Sequence, residues 1–249
     1  MNGPGFRIES LSKVYPGGRG SAALVDATLE LPPCSRTALV GRTGSGKTTL
    51  ALCLAGMMEP SGGKIWRDNA LSWPGRWGPR RSVQLVRQDS PLALNPAWAV
   101  RELVAEPLRF QRRDSHFGIE EETLQLARSV GLSEDCLRRR AEQLSGGQRQ
   151  RVAVARALAV RDLELLILDE PLRGLDPASV EAMVALLLMI HEARRFSLLY
   201  ITHDLECVRR IAGRVAVLSQ GSVVETADVG EFFAEPRHPE SRALVEAGR

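Results

Sequence analysis

Hydrophobic and polar positions divide the chain into two strand-rich parts separated by a stretch with a helical pattern. Loose alternation at 6–15 and 25–31 is typical of half-buried strands, and continuous apolar runs such as 165–168 are typical of fully buried ones. Proline and glycine residues end several of these segments. The predicted strands are 6–15, 25–31, 37–40, 64–67, 83–86, 165–168, 198–201, 215–218 and 223–225.

The strand signal disappears from about 92 to 159, where apolar residues recur at helical spacing instead. Strands return at 165–168 and 198–201 with a helical segment between them, a βαβ order that predicts a parallel sheet. The last strands form a predicted hairpin around Gln220-Gly221, and the tail after Asp228 is predicted as a short helix and a loose end. The predicted helices are 48–57, 99–110, 120–130, 148–160 and 178–194.

Length and composition limit what kind of protein this is. A chain of 249 residues is one large domain or two small ones, and 44% hydrophobic with 25% charged residues is an ordinary globular balance. The longest apolar run, Ala182 to Ile190, has nine residues, whereas a membrane-spanning helix needs roughly 18, so no crossing of a bilayer is expected. The net charge of +3 is too small to indicate nucleic acid as a partner.

Cysteine and lysine usage narrows the class of protein further. Cys34, Cys53, Cys136 and Cys207 are scattered without a C-x-x-C pair, so they are predicted to be buried small residues in a reducing compartment. No basic segment followed by an apolar stretch opens the chain, which favours a cytoplasmic protein. The 33 basic residues include only three lysines, a bias that fits a GC-rich genome but also singles out any lysine that chemistry requires.

The sharpest motif lies between the predicted strand 37–40 and the predicted helix 48–57 and fits G-x-x-x-x-G-K-[ST]. Its glycines allow successive backbone N–H groups to face a phosphate chain at a helix N-terminus. The ammonium of Lys47 is predicted to reach the outer phosphates, and the hydroxyl of Thr48 to bind Mg²⁺. The alternative is a chance match in an ordinary strand-turn-helix segment. The motif consists of Gly41, Arg42, Thr43, Gly44, Ser45, Gly46, Lys47 and Thr48.

Two carboxylates follow the apolar run 165–168, at the end of the strand where ligands bind in open α/β sheets. We expect Asp169 to hold Mg²⁺ through water, and Glu170 to polarise the water that attacks a γ-phosphate. The alternative is a capped strand end with no catalytic role. Beside a phosphate-binding loop, the catalytic interpretation is favoured.

A second candidate phosphate site lies just before the predicted helix 148–160. Small residues at a helix N-terminus offer backbone N–H groups and the positive end of the helix dipole to an anion. One chain then carries two phosphate-binding helix starts about 100 residues apart. We therefore expect a dimer in which this loop completes the site of the partner subunit. The loop consists of Leu144, Ser145, Gly146, Gly147 and Gln148.

Together these motifs make the chain resemble the ATP-binding subunit of an ABC transporter, whose signature loop matches 144–148 at every position. The resemblance extends from Tyr15 to about Leu244. It implies an α/β P-loop NTPase fold of the ABC-ATPase type, with a mixed parallel sheet core, an N-terminal antiparallel β subdomain and an inserted α-helical subdomain. The chain is then a single ABC ATPase domain over 1–249, in which 1–91 and 160–249 form the core and 92–159 the helical signature subdomain.

The resemblance also implies nucleotide and metal contacts outside the motifs. Tyr15 sits where an aromatic ring stacks on adenine, although an ordinary strand aromatic is the alternative, and Thr49 extends the phosphate-binding loop. Gln88 matches the glutamine that senses Mg²⁺ and contacts the membrane partner. The metal ligands implied in this way are Thr48, Gln88 and Asp169.

Two further positions follow from the same resemblance. Asp176 matches the aspartate of the loop that crosses the dimer, and His203 matches the histidine that contacts the γ-phosphate and aligns Glu170. The catalytic residues implied are Lys47, Gln88, Glu170 and His203. The histidines without such a place are expected to face solvent: His116, His191 and His238.

Two segments resemble peptide and nickel importers within the family: 91–96, soon after Gln88, and 238–244 near the end of the chain. Some members carry a cysteine-rich iron–sulfur segment after the second one, and because no such cysteines follow here, no cluster is expected. The residues 172–174, Leu-Arg-Gly, depart from the family's common Thr-Ser-Ala. This difference lies near the implied dimer seam and suggests pairing with a different ATPase subunit.

The resemblance implies an energy-coupling ATPase of a transporter, with ATP and Mg²⁺ sandwiched in a dimer. The expected cargo is small peptides, nickel or metal–chelator complexes. The expected partners are two membrane permease subunits, a second ABC ATPase subunit in a homo- or heterodimer, and an extracytoplasmic substrate-binding protein, with no nucleic acid. The chain is expected to lie peripherally on the cytoplasmic face of the membrane. The alternatives are an ABC exporter ATPase and a soluble ABC ATPase that acts on ribosomes or DNA.

Overall fold

The structure, a computed structural model, describes residues 5–15, 22–74, 78, 81–87, 94–111 and 118–248. Its strands are β1 (Phe6–Val14), β2 (Ala22–Leu31), β3 (Arg36–Val40), β4 (Gly62–Arg67), β5 (Ala70–Trp73), β6 (Val83–Val86), β7 (Leu165–Asp169), β8 (Ser197–Ile201), β9 (Arg214–Ser219) and β10 (Ser222–Asp228). Its helices are α1 (Lys47–Leu54), α2 (Val100–Gln111), α3 (Ile119–Ser129), α4 (Glu134–Arg138), α5 (Gly146–Leu158), α6 (Pro177–Arg194), α7 (Leu205–Ile211), α8 (Val229–Ala234) and α9 (Pro239–Ala247).

The central sheet has the strand order β10-β9-β3-β8-β7-β6. The strands from β9 to β6 are parallel, as the βαβ order predicts, and β10 is an antiparallel edge strand. Leu39, Ile201 and Asp169 lie at the same level in β3, β8 and β7. The loops that follow these three strands therefore meet at one edge of the sheet, which is where ligands bind in α/β folds.

Both faces of the central sheet are covered, which explains why β7 and β8 are continuous apolar runs. Leu165 and Ile167 join one hydrophobic cluster, together with α1 and the second sheet. Leu166 and Leu168 join another cluster, together with α5 and α6. Strand β7 is thus fixed from both sides, so the residues directly after it have well-defined positions.

The second sheet is antiparallel and has the strand order β2-β1-β4-β5. Ile8, Leu11 and Leu24 are fully buried there and belong to the same cluster as Leu50 of α1. Strand β5 was not predicted, because it has only four residues and their apolar and polar positions do not alternate. This sheet supports α1, the helix that begins at the glycine-rich loop.

Helices α2 to α5 occupy the stretch between β6 and β7, and within the described residues its β pairing is a single bridge between Ala99 and Arg140. Leu103, Val152 and Ala155 are buried at the centre of this helical part. Helix α4 was not predicted, because five residues are too few for a periodic signal. None of the described helices combines the length and the apolar character that a membrane span requires.

The tail after β10 is more ordered than the sequence predicts. The prediction of one short helix and a loose end is wrong, because the tail forms two helices, α8 and α9, and both pack on the central sheet. Phe232 and Val245 are buried in one cluster with Val217 of β9. Both helices are short, so their apolar residues show too little periodicity to be recognised without the surface that they cover.

The expectation that His191 and His238 face solvent is also wrong. His191 on α6 is 8% exposed, and its ring packs edge-on against Phe196 with 5.5 Å between ring centroids. Burial lowers the pKa of His191, which favours the neutral ring. His238 is half-buried and caps α9, because its Nδ1 accepts a hydrogen bond of 3.1 Å from the amide of Glu240. His116 lies outside the described residues.

The cysteines are free thiols, and Cys53, Cys136 and Cys207 are buried as predicted for small apolar residues. Burial raises the pKa of Cys53 and of Cys207 to about 12, so neither thiol forms a thiolate at neutral pH. Cys34 is only half-buried, and its thiol donates to the carbonyl of Arg195 at 2.9 Å.

Candidate functional site

The glycine-rich loop 41–48 connects β3 to α1 and is held closely by neighbouring backbone. Gly41 has a φ of +150°, and a Cβ there would lie 2.1 Å from the carbonyl oxygen of Leu218. Gly46 has a φ of +107°, and a Cβ there would lie 2.3 Å from the carbonyl oxygen of Ala23. No side chain fits at either position, so the two glycines are required by the packing of the loop against β9 and β2.

Lys47 is the first residue of α1, and its side chain turns back over the loop. Its Nζ donates to the carbonyls of Gly41 at 2.7 Å and Arg42 at 2.8 Å. Burial lowers the pKa of Lys47, and the negative charges of Glu170 and Asp169 counteract part of this effect. The ammonium is therefore placed inside the loop, next to the acidic end of β7.

Thr48 and Asp169 link the glycine-rich loop to the end of β7. The hydroxyl of Thr48 donates to Oδ2 of Asp169 at 2.8 Å. Burial raises the pKa of Asp169, and the hydrogen bond from Thr48 acts in the opposite direction. A hydroxyl and a carboxylate side by side are hard oxygen ligands of the kind that Mg²⁺ prefers.

Glu170 leaves β7 in a left-handed backbone conformation, with a φ of +50°. Its amide donates to the carbonyl of Ile201 at 2.9 Å, which fixes the turn against β8. Its Oε1 lies 2.7 Å from Nδ1 of His203, and the hydroxyl of Thr202 donates to Oε2 at 3.4 Å. Two residues of the loop after β8 therefore orient a carboxylate that belongs to the loop after β7.

The signature loop 144–148 starts α5 with a reciprocal cap. The Ser145 hydroxyl accepts from the amide of Gln148 at 3.2 Å, and the Gln148 side chain accepts from the amide of Ser145 at 3.0 Å. Leu144 is buried, whereas Ser145 and Gly146 are exposed. The Cβ position at Gly147 lies 3.6 Å from the Ser179 hydroxyl, so the loop borders the start of α6.

Asp176 is the N-cap of α6. Its Oδ1 accepts from the amide of Ser179 at 3.0 Å, and its Oδ2 accepts from the Ser179 hydroxyl at 2.6 Å. These two hydrogen bonds lower the pKa of Asp176 and keep the carboxylate ionised. The structure thus places the two elements that sequence analysis assigned to a dimer seam next to each other, on either side of Ser179.

Tyr15 follows β1 and lies over α1. Its hydroxyl shares a hydrogen bond of 3.2 Å with the hydroxyl of Thr49 and lies 3.2 Å from the sulfur of Met58. The residue is 42% exposed, and the ammonium of Lys13 lies 5.8 Å from the ring centroid. One part of the ring is therefore fixed to the loop helix while another remains accessible. Gln88 lies outside the described residues, as do 91–93 of the segment 91–96.

Two residues that contribute to the site, Thr202 and Gly221, were not predicted from the sequence. Thr202, which contacts Glu170, directly follows the predicted strand 198–201 and could have been found from its position before His203. Gly221 donates its amide to the carbonyl of Ser45 at 3.0 Å, so the turn between β9 and β10 supports the glycine-rich loop. Nothing in the sequence signals that contact, because it joins two turns about 175 residues apart.

Fold and site together define a P-loop ATPase with a helical insertion. The profile of the ABC transporter family matches residues 24–173, and the chain belongs to this family. The predicted ABC-ATPase fold and the predicted ATP hydrolysis are confirmed by this match and by the relatives below.

Curated relatives include the nickel import ATP-binding protein NikE of Escherichia coli strain K12, which is 41% identical over 242 residues, or 91% of this chain and 88% of the relative. NikE of Brucella abortus is 39% identical over 231 residues, or 90% of this chain and 85% of the relative. The solved dimer of the ATP-binding cassette MJ0796 in a post-hydrolysis state with ADP and Pi superposes with a TM-score of 0.80. It is 27% identical in sequence and covers 90% of this chain and 98% of that one.

Proposed function

We propose that this chain is the energy-coupling ATPase of an importer that carries nickel, as an ion or a chelate. The observation that carries the ATPase chemistry is the meeting of Lys47, the Thr48–Asp169 pair and the Glu170–His203 pair at one edge of the central sheet. The nickel relatives support the cargo class, and 238–244 supports the same subfamily. Small peptides are the cargo class that the test below must separate from nickel.

The residues of the loop fit Mg²⁺·ATP. Gly41 and Gly46 let the loop pass close to neighbouring backbone, where a side chain would collide. The Lys47 ammonium is held inside the loop by two carbonyls, and phosphate oxygens can replace these carbonyls as its partners. Thr48 and Asp169 supply the oxygen atoms for the metal, with Gln88 as a further ligand expected from the family resemblance. When bound there, Mg²⁺ would supply positive charge that neutralises the phosphate oxygens.

Glu170 is the group that we assign to the attacking water. Its carboxylate accepts the water's hydrogen bond and takes the proton as the oxygen approaches phosphorus. His203 and Thr202 hold that carboxylate through its two oxygens, so its direction does not have to be organised during the reaction. The side chain of His203 is 66% exposed, which leaves its ring accessible to the γ-phosphate side.

We assign the signature loop and Asp176 to the site of a second ATPase subunit. Ser145 and Gly146 are exposed at the N-terminus of α5, a 13-residue helix whose dipole favours an anion there. The loop and the α6 cap lie side by side, so one partner surface covers both. The exposed Arg173, three residues before Asp176, departs from the family pattern and supports a partner of different sequence.

The proposed contact with the two permease subunits is on the helical part. A cavity of about 580 Å³ lies between α2, α3 and α4. Three arginines and three glutamates line it together with apolar side chains: Arg101, Arg109, Arg138, Glu102, Glu120, Glu134, Ala105, Ile119, Leu124 and Leu137. A short amphipathic helix of a permease fits such a groove of charged and apolar side chains. The chain would then sit at the cytoplasmic face of the membrane, and a substrate-binding protein would serve the opposite face.

Gene deletion and complementation in the source organism test this function. Without the gene, accumulation of radioactive nickel should fall while uptake of labelled dipeptide stays normal, and the wild-type chain should restore nickel uptake. The Glu170→Gln chain should not restore it, because the carboxylate that accepts the water's proton is lost. Loss of dipeptide uptake with normal nickel accumulation would show that the cargo is a peptide.

The matched control is Glu181→Gln, which removes an equally acidic side chain. Glu181 is exposed and pairs with Arg210 at 2.6 Å, away from the glycine-rich loop. This variant should restore uptake like the wild-type chain. Full restoration by Glu170→Gln would refute the role that we assign to Glu170.

A further inference from the structure

The segment 238–244, which resembles a stretch of the peptide and nickel importers, reaches the glycine-rich loop in this structure. Oε1 of Glu240 lies 2.7 Å from Nε of Arg42. Arg42 is the second residue of the loop, and Glu240 lies in the first turn of α9, about 200 residues later. The contact therefore joins the end of the chain to the phosphate-binding loop.

Glu240 is held in place by its own helix start. The amide of Glu240 donates to Nδ1 of His238, and Pro239 occupies the first turn, where its fixed φ suits a helix. Arg242 reinforces the turn by donating to the carbonyls of Pro236 at 3.2 Å and Arg237 at 2.8 Å. The side chain of Glu240 is only 17% exposed, against 71% for Arg42, so the carboxylate is the fixed member of the pair.

Glu225 of β10 attaches this helix start to the central sheet. Its carboxylate accepts from the amide of His238 at 2.7 Å and from that of Arg237 at 3.1 Å. The neighbouring turn of the same hairpin supports the loop directly, because the amide of Gly221 donates to the carbonyl of Ser45. The β9–β10 hairpin thus supports the loop twice, once through backbone and once through Glu240.

The backbone carbonyl of Arg42 also accepts two hydrogen bonds within the loop. Its carbonyl receives Nζ of Lys47 at 2.8 Å and the amide of Ser45 at 3.1 Å. A side chain anchored by Glu240 restricts that carbonyl to one position, which lowers the entropy lost when phosphate binds.

We propose that Glu240 is a positioning residue for nucleotide binding, which acts through Arg42 to hold the first turn of the glycine-rich loop in its phosphate-binding conformation. The proposal goes beyond the transport function and rests only on nucleotide binding at this loop. It also gives the segment 238–244 a physical role: His238 and Pro239 start the helix, and the helix start presents Glu240.

Titration of the purified full chain with the fluorescent analogue mant-ATP tests the proposal. Glu240→Gln should raise the dissociation constant about two- to fivefold, the range of a partly exposed ion pair. The difference from wild type should narrow at high salt, which screens the pair. In the assembled transporter the KM for ATP should rise while kcat stays unchanged, because Glu170 and His203 are not disturbed.

The neighbouring ion pair provides the control. Glu231 lies 3.5 Å from Arg237, and this pair does not reach the loop. Glu231→Gln should therefore leave the dissociation constant unchanged. In an Arg42→Gln background, Glu240→Gln should have no further effect. An unchanged constant for Glu240→Gln, or an equal rise in the Arg42→Gln background, overturns the proposal.

If Glu240→Gln destabilises the chain more than Glu231→Gln does, exchanging the charges of Arg42 and Glu240 provides a second test. Arg42→Glu combined with Glu240→Arg should bind mant-ATP more tightly than Arg42→Glu alone, and additive effects of the two changes would overturn the proposal. Lys47→Ala tests nucleotide binding at the loop independently of Glu240. If that variant binds mant-ATP normally, the assignment of nucleotide binding to the glycine-rich loop is wrong, whatever the effect of Glu240→Gln.

Discussion

Lys47 shows how a single residue is selected by its surroundings. Its ammonium lies between two carbonyls of the glycine-rich loop and near Glu170 and Asp169, in a place that burial makes costly for a charge. A compact ammonium fits between two backbone oxygens, whereas a planar guanidinium needs more room and cannot lose its proton. In a chain with 33 basic residues, of which three are lysines, this position explains why one of them is retained.

At this scale we predict that Lys47→Ala raises the dissociation constant for Mg²⁺·ATP about 10- to 100-fold, because a charge-assisted hydrogen bond to phosphate is lost. Lys47→Arg should also weaken binding, since the larger head group does not fit the loop. Isothermal titration of the purified chain measures both. Lys64→Arg is the control, because the Lys64 ammonium lies 5.9 Å from the Trp66 ring and outside the loop. Equal affinity for Lys47→Arg and Lys64→Arg would contradict this account.

Among the elements, the β9–β10 hairpin and α9 together support the glycine-rich loop. Glu225 is the point at which they join, because both of its oxygens accept backbone amides from the segment before α9. Burial alone would raise the pKa of Glu225, but contacts from Ser241 and from the amides of His238 and Arg237 lower it below its usual value. The ionised carboxylate is therefore the form that the folded state prefers.

We predict that Glu225→Gln lowers the free energy of unfolding by about 1–3 kcal/mol at pH 7, because an amide NH₂ group must then face backbone N–H donors. The pKa of Glu225 is lower in the folded state, so its contribution is present above the unfolded pKa of about 4.3 and is lost as the pH falls through the folded pKa. Urea titrations of variant and wild type should differ most near pH 7 and converge in acid. Glu235→Gln, at an exposed position, should show no such difference.

Over the whole molecule, the residues that we assign to nucleotide binding and hydrolysis are divided between two surfaces. One surface carries Lys47 and Glu170 at the carboxyl edge of the central sheet, and the other carries the signature loop and Asp176. The family contains solved dimers, and MJ0796 is one that superposes on most of this chain. We therefore expect turnover to require a second subunit that faces the signature loop.

Gly146→Asp tests this division, because a Cβ at Gly146 meets no atom within 4 Å in the chain itself. The variant should fold and bind mant-ATP like wild type, yet ATP turnover of the assembled transporter should fall by more than about tenfold, since a negative charge would face the partner's nucleotide. Gly230→Asp is matched to it, as Gly230 also has open space around its Cβ position. Reduced mant-ATP binding by the Gly146→Asp monomer would indicate an intramolecular role instead.

Much of the fold and of the candidate site follows from local sequence. The strands β3, β6 and β7 were predicted almost to the residue, because each is a short, largely apolar run, and Gly41 follows β3 and Glu170 follows β7. The elements that were missed, such as β5 and α7, are too short for the hydrophobic pattern to identify them. For α7, the Asp204 side chain marks the helix start by accepting from two amides, but seven residues give too little periodicity to follow that cap.

The sequence by itself determined the glycine-rich loop, the acidic end of β7 and the signature loop, because each is a continuous segment whose chemistry depends on spacing over a few residues. Only the tertiary structure decided which further residues support these motifs: Thr202 on Glu170, Gly221 on Ser45, and Glu240 on Arg42. The last two contacts join residues more than 170 positions apart. Such pairings arise from the order of strands in the sheet, which places the end of the chain beside the loop near its beginning.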